Sequence, residues 1–218
     1  MAFSGSESVS LPGPVKRTLR WAILTAIAAF VIMAAIKALT AAFLNDDFPE
    51  GLAVKVELLP VIFPLHMLTG GLALLLVPLA IALRRRPRWH RIAGRIAAAD
   101  VLVAGVTALP VALVVPVTLG SALGFTAQGC AWLILLALGI WNIRRGRIAA
   151  HRAMMVMLAA TTSGAIFFRI YLALWAIFAH GRHFDLFYAC DAWIAWLLPL
   201  GISARLMRQN GTWRSIPA

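Results

Sequence analysis

The fold is decided by one stretch of the chain, Leu58–Arg95, which reads LLPVIFPLHMLTGGLALLLVPLAIALRRRPRWHRIAGR. Its first part, up to Leu83, contains no Asp, Glu, Lys or Arg. A helix of that length is long enough to cross the hydrocarbon core of a bilayer. Its second part is an Arg-rich run interrupted by Pro87, which favours a tight turn before a new helix. The stretch therefore predicts a transmembrane helix, a basic loop and the start of a returning helix.

The rest of the chain repeats this alternation of apolar and basic segments. Its 218 residues are 62% hydrophobic with a mean hydropathy of +0.88, whereas a soluble domain is close to half apolar. We predict an all-α bundle in one domain, residues 20–208, between a flexible cytoplasmic tail at 1–19 and a second cytoplasmic tail at 209–218. The six predicted transmembrane helices are Trp21–Leu44, Leu58–Leu83, Ile92–Val117, Ala122–Ile143, Ala153–Ala179 and Leu186–Met207. The first is too long for the apolar core of a signal peptide, so we expect it to be retained.

The basic residues predict the orientation of the bundle. The net charge is +12, and Lys and Arg are concentrated in both tails and in the second and fourth linkers. The positive-inside rule then places the N-terminus and the C-terminus in the cytoplasm. Short basic clusters between apolar runs are topology signals, so we expect no nucleic-acid partner and a lipid bilayer as the main environment.

Two of the basic linkers resemble each other beyond their charge. Each has an Arg cluster followed by a His-Arg pair, His90-Arg91 in the second linker and His151-Arg152 in the fourth. The two histidines are 61 residues apart, which is close to the length of one helical hairpin. The spacing predicts a weak tandem repeat that brings both histidines to one depth, at the cytoplasmic starts of their helices.

These motifs carry a family resemblance. HRIAGRI at 90–96, RRGRIAAHRAMM at 144–155, the later Arg169–Tyr171 segment and the Trp-rich AWIAWLLP at 192–199 resemble a family of bacterial integral-membrane proteins known as a domain of unknown function. His66 matches an early histidine of that pattern, whereas Ala97, Met154 and Met157 depart from it. The resemblance covers roughly residues 60–200 and implies six spans in a bacterial inner membrane; it supplies no reaction.

Ionisable residues at membrane depth are costly unless they are paired, which makes them candidate functional residues. His66, Asp100 and Arg169 all fall near the middle of their predicted spans. We predict an ion pair between Asp100 and Arg169 with His66 in hydrogen-bonding reach, and Gln128 and Asp191 somewhat nearer the outer face. Two interpretations stay open, a structural clamp between helices and a proton or anion site in which His66 titrates.

The paired histidines suggest a cofactor. Two histidines at one depth on separate helices could be the axial ligands of a b-type haem, a metal site formed by His90 and His151. Arg91 and Arg152 could then bind the propionates. The arrangement is similar to cytochrome b561-type proteins, although those use two histidine pairs. The alternative is that a His-Arg pair at a helix start needs no cofactor.

Three function classes follow from the sequence. The first is a membrane redox protein that binds haem b or a quinol at His90 and His151. The second is a solute or proton-linked carrier built around His66, Asp100 and Arg169. The third is an accessory subunit of a membrane complex, with a partner subunit or a second copy of the chain. The lack of a large soluble domain argues against a self-contained enzyme, and pairing of Cys130 with Cys190 stays open.

Overall fold

The computed structural model describes residues 13–43 and 50–209. This part of the chain is helical and contains no strand, which confirms the all-α prediction. A short 3₁₀ segment, Leu83–Arg85, joins the third and fourth α-helices. The described residues form seven α-helices, α1 Gly13–Phe43, α2 Glu50–Leu58, α3 Ile62–Ala82, α4 Pro87–Leu113, α5 Leu119–Arg144, α6 Ile148–Ala179 and α7 Phe184–Gln209.

Five of these helices, α3 to α7, are long and apolar enough to cross a membrane. The predicted first span, Trp21–Leu44, overlaps α1, in which the described apolar segment is Ala28–Lys37, and the last residue of that span lies outside the described residues. Six spans and cytoplasmic termini therefore stay predictions. Helix α1 begins at Gly13, so residues 13–19 are helical where the sequence predicted a flexible tail. Residues 1–12 and 210–218 of the predicted tails lie outside the described residues.

The second predicted span, Leu58–Leu83, corresponds to α3, which a short separate helix, α2, precedes. Helix α2 ends at Leu58 and α3 starts at Ile62, with a turn around Pro60. A proline lacks the amide proton that a continuous helix needs and disfavours helical geometry in the residue before it. The chain therefore bends before it enters the bundle, and α2 packs against α3 as a short separate helix.

Consecutive long helices pack as antiparallel hairpins, α3 with α4, α4 with α5, α5 with α6 and α6 with α7. Helix α1 packs on α3, and α7 returns to pack beside α5. The α3–α4 and α5–α6 turns meet at one end of the bundle, which we call the basic end because of its arginines. Those arginines are Arg84, Arg85, Arg86, Arg88, Arg144, Arg145 and Arg147.

Small residues allow the helices to approach closely. A Cβ atom on Gly105 of α4 would lie 2.7 Å from Leu133 of α5, and one on Gly124 of α5 would lie 2.9 Å from the Ala192 carbonyl oxygen of α7. The core contains a buried hydrogen bond from Trp132 Nε1 to Thr162 Oγ1 at 2.9 Å. Large apolar side chains cover the outside, as expected of helices that face lipid.

Candidate functional site

His66 lies at the interface of α3 and α4 and is bonded to the α4 backbone. Its Nδ1 is 3.1 Å from the Ala104 carbonyl oxygen and 3.4 Å from Thr107 Oγ1. A carbonyl oxygen only accepts, so Nδ1 carries the proton and donates it. The other ring nitrogen, Nε2, is then the one with a free lone pair, and it has no hydrogen bond among the described residues.

Asp100 lies one helical turn from this contact, towards the basic end. It is only 9% exposed, and its Oδ2 has no hydrogen-bond partner within the described part of the chain. His66 faces Ala104 and His90 faces Ala80, so the same antiparallel register puts Asp100 level with Gly70. A Cβ atom on Gly70 would meet nothing within 4 Å. Asp100 is therefore a buried carboxyl group with an unused oxygen, level with a glycine that faces open space.

Lys55 extends this row of polar groups towards the other end of α4. It belongs to α2, outside the membrane-spanning helices, and its Nζ donates to the Val111 carbonyl oxygen at 2.7 Å. Partial burial lowers the pKa of the Lys55 ammonium from its ordinary value of 10.5. The ammonium also satisfies a carbonyl near the C-terminal end of α4, where a positive charge is stabilising.

Positions 100, 104, 107 and 111 recur on α4 at helical spacing and form one stripe. Asp100 and Thr107 contribute side chains to this stripe, while Ala104 and Val111 contribute carbonyl oxygens that bind His66 and Lys55. We call Asp100, His66, Thr107 and Lys55 the α3–α4 polar line. It runs from the end of α4 that faces α2 to about the middle of the bundle.

The predicted ion pair between Asp100 and Arg169 is absent from the described residues. Arg169 Nη1 donates instead to the Ala165 carbonyl oxygen of its own helix at 2.7 Å. Gly105 of α4 faces Leu133 of α5, and Trp132 of α5 bonds to Thr162 of α6. Counting along the helices from these contacts puts Asp100 at about the same height as Val156. Arg169 is about three and a half turns farther along α6, roughly 20 Å. The sequence placed both residues near mid-span, but it does not reveal the register that separates them.

Gln128 and Asp191 belong to the other half of the bundle. Gln128 Nε2 donates to the Thr161 carbonyl oxygen at 3.2 Å, between α5 and α6. Asp191 on α7 is 2% exposed, and neither carboxyl oxygen has a partner among the described residues. The five residues predicted as one cluster therefore separate, with His66 and Asp100 between α3 and α4 and the others among α5, α6 and α7.

His90 and His151 occupy equivalent positions in two hairpins. His90 Nδ1 is 2.8 Å from the Ala80 carbonyl oxygen, and His151 Nδ1 is 2.9 Å from the Gly139 carbonyl oxygen. Each ring donates to the helix before it, near the basic end. The repeat predicted the placement at helix starts but not these hydrogen bonds. Each Nε2 keeps its lone pair, which suits a metal ligand whose other nitrogen is fixed by a carbonyl.

The two histidines nevertheless lie in separate hairpins, on α4 and α6, which share no substantial contact in the described structure. The arginines that follow them, Arg91 and Arg152, are exposed. Within the described ranges no three His, Cys, Asp or Glu side chains group to hold a metal ion, and Cys130 and Cys190 are free and exposed.

The comparison with known families agrees with this architecture. The family described as "Predicted membrane protein (DUF2306)" matches residues 63–207, from the start of α3 almost to the end of α7. The chain belongs to the DUF2306 family of membrane proteins. No curated protein and no solved structure matches the chain.

The DUF2306 region holds most of the polar line but not all of it. His66, Asp100 and Thr107 lie inside the matched residues, whereas Lys55 lies before them. Sequence reasoning missed Lys55 and Thr107. Thr107 follows Asp100 by seven residues, a spacing that predicts one helix face; the contact of Lys55 with Val111 depends on the bend at Pro60, which sequence spacing does not show.

Proposed function

We propose that this DUF2306 protein is a proton-linked membrane carrier in which Asp100 binds the proton. The supporting observation is the unpartnered Oδ2 of Asp100 at the end of the polar line. An ionised carboxylate without a partner in an apolar interior costs several kcal/mol, so such a group takes up a proton. A carboxyl group that binds and releases a proton at this depth is the usual element of a proton pathway.

The other members of the line would carry the proton towards Asp100. His66 Nε2 has the lone pair needed to accept a proton, and its ring is held by Ala104 and Thr107. Lys55 occupies the end of the line nearest α2, so its ammonium would set the local charge where protons enter. Gly70, at the level of Asp100, has open space beside it that solute or water would occupy.

The experiment is proton flux into liposomes that contain the purified protein and a trapped pH-sensitive dye, driven by a potassium gradient with valinomycin. We expect flux with the wild-type chain, loss of at least tenfold in Asp100→Asn, and a smaller loss in His66→Phe. Asp185→Asn is the matched control, because Asp185 is an exposed carboxylate in the first turn of α7. Equal flux in wild type and Asp100→Asn, or no flux in either with folded protein, would reject the proposal.

A membrane redox function is the second candidate. It is favoured by the free Nε2 lone pairs of His90 and His151, and by an open groove of about 470 Å³ between α4 and α5. Eight aliphatic residues line that groove, which suits the isoprenoid chain of a quinone: Ala98, Ala99, Leu102, Val106, Leu133, Leu136, Ala137 and Ile140. An absorption spectrum of the detergent-purified protein tests the haem form of this proposal. A Soret band lost in His90→Ala and His151→Ala would support it.

A further inference from the structure

Asp191 is the most completely buried ionisable side chain among the described residues. It is 2% exposed, and both of its carboxyl oxygens lack a hydrogen-bond partner in the described part of the chain. It lies on the same helix face as Ala192, Ala195 and Trp196, which are also buried. Of the Asp100 carboxyl group, by contrast, only Oδ2 is both fully buried and without a partner among the described residues. A carboxylate buried without a partner has to be neutralised by a cation, by a positively charged side chain or by a proton.

The helices around Asp191 leave little room for a hydrated ion. On the α5 side, a Cβ atom on Gly124 would lie 2.9 Å from the Ala192 carbonyl oxygen. On the α6 side, a Cβ atom on Gly164 would lie 3.1 Å from Trp196 Cα. The backbone of α7 therefore nearly touches both neighbours within five residues after Asp191. A bare proton is the neutralising partner that needs no additional space.

Among the described residues, no positively charged side chain on the helices packed against Asp191 forms an ion pair with it. Gly164 faces Trp196, so the antiparallel register puts Asp191 level with residues 167–171 of α6, which include Arg169 and Tyr171. Arg169 donates to Ala165 and forms no ion pair with Asp191. On α5 the only titratable side chains are Cys130 and the terminal Arg144. On α7 the titratable side chain of Tyr188 is about one turn from Asp191.

Aromatic rings close the site on the side away from the basic end. Tyr188 packs edge-on against Phe125 of α5 and Phe168 of α6, with ring centroids 5.9 and 5.3 Å apart, respectively. Phe125 and Phe168 are themselves 5.4 Å apart, so the three rings contact one another. We propose that Asp191 is a second intramembrane proton-binding site, independent of the α3–α4 polar line, which exchanges its proton when α7 moves away from α5 and α6.

The first test is covalent labelling with dicyclohexylcarbodiimide, an apolar reagent that reaches carboxylic acids in lipid. The acid O–H adds across one C=N bond, and the O-acylisourea rearranges to an N-acylurea without loss of any atom. Each labelled acid thus adds the mass of one reagent molecule to the chain. The full-length protein in nanodiscs is labelled across a pH series, alongside Asp191→Asn, Asp100→Asn and the exposed control Asp185→Asn.

We expect a label at Asp191 near neutral pH, absent in Asp191→Asn and unchanged in Asp185→Asn. Labelling should fall about tenfold for each pH unit above the apparent pKa of the site, because the neutral acid is the reacting form. Asp100→Asn should keep the Asp191 label, so loss of the carrier function and loss of this site are distinguishable. A label at Asp191 that does not change with pH would contradict proton exchange.

Infrared spectroscopy provides a second measurement that does not depend on reagent access. The infrared spectrum of the wild type minus that of Asp191→Asn should contain the C=O stretching band of a protonated carboxyl group. Transfer to D₂O should shift the frequency of this band as deuterium replaces the proton. A carboxylate band in its place would show an ionised Asp191 and overturn the proposal. A protonated band unchanged by D₂O would mean a permanently fixed proton and would overturn it as well.

Discussion

The close approach of α6 and α7 at Gly164 gives a sharp stability prediction. In Gly164→Ala the new Cβ would lie 2.7 Å from Trp196 Cβ, 2.8 Å from Gln128 Nε2 and 3.1 Å from Trp196 Cα. The Gln128 amide can rotate away, but Trp196 Cα and Cβ move only if α7 moves. Overpacking of this kind costs about 1–3 kcal/mol. The substitution also stabilises the folded protein by about 0.8–1.0 kcal/mol, because alanine is a better helix former than glycine.

Gly201→Ala is the matched control on the partner helix. A Cβ atom on Gly201 would meet nothing within 4 Å, so only the gain in helix propensity remains. The difference between the two alanine variants is therefore the overpacking cost, about 1–3 kcal/mol. For a chain of this size, that corresponds to roughly 2–12 °C in Tm, with Gly164→Ala the less stable.

The assay is thermal unfolding of both variants in one detergent, followed by tryptophan fluorescence and circular dichroism. Trp196, one of eight tryptophans that contribute to the fluorescence, lies at the α6–α7 contact. If Gly164→Ala melts at the same temperature as Gly201→Ala or above it, the close approach at Gly164 does not exist in solution. Retention of helical circular dichroism before the transition checks that both variants are folded.

Two further predictions concern the histidine contacts and Lys55. His151→Ala removes the bond to the Gly139 carbonyl oxygen and should lower the unfolding free energy by about 0.5–1.5 kcal/mol, measured by thermal unfolding against the wild-type chain. Because the pKa of Lys55 is lowered in the folded protein, the unfolded chain binds more protons between that pKa and 10.5, so stability should rise with pH across this window. Lys55→Met should abolish that rise in a Tm series against pH, and a rise that persists in the variant would exclude Lys55 as its source.

The sequence predicted the helices well because their signal is local. Apolar length marked the five long helices α3 to α7, and Pro87 and Gly146 lie where their hairpins turn. The starts of α4 and α6 were each placed five residues late, at Ile92 and Ala153, because basic residues in the first turn resemble a loop. A helix that emerges from lipid can carry such residues without losing its backbone hydrogen bonds.

The candidate site was predicted less well, because it depends on the register between helices. Asp100 and Arg169 are each near mid-span in their own helix, yet the packing of small residues sets their relative height. Asp191 was recognised as an intramembrane residue, but its complete burial follows from Gly124 and Gly164 on two other helices. An ionisable residue within an apolar segment can be recognised from the sequence. Whether an oppositely charged side chain lies close enough to pair with it depends on how the helices pack.

The two histidine contacts near the basic end bear on how the chain assembles. His90 reaches back ten residues to Ala80, and His151 reaches back twelve to Gly139, so each contact joins helices that are adjacent in synthesis. Contacts between neighbours in sequence close with little loss of chain entropy. We expect each hairpin to close soon after its second helix enters the membrane, before α7 has been made. Cysteine pairs placed across α3 and α4 should then cross-link in ribosome-bound chains that stop short of α7.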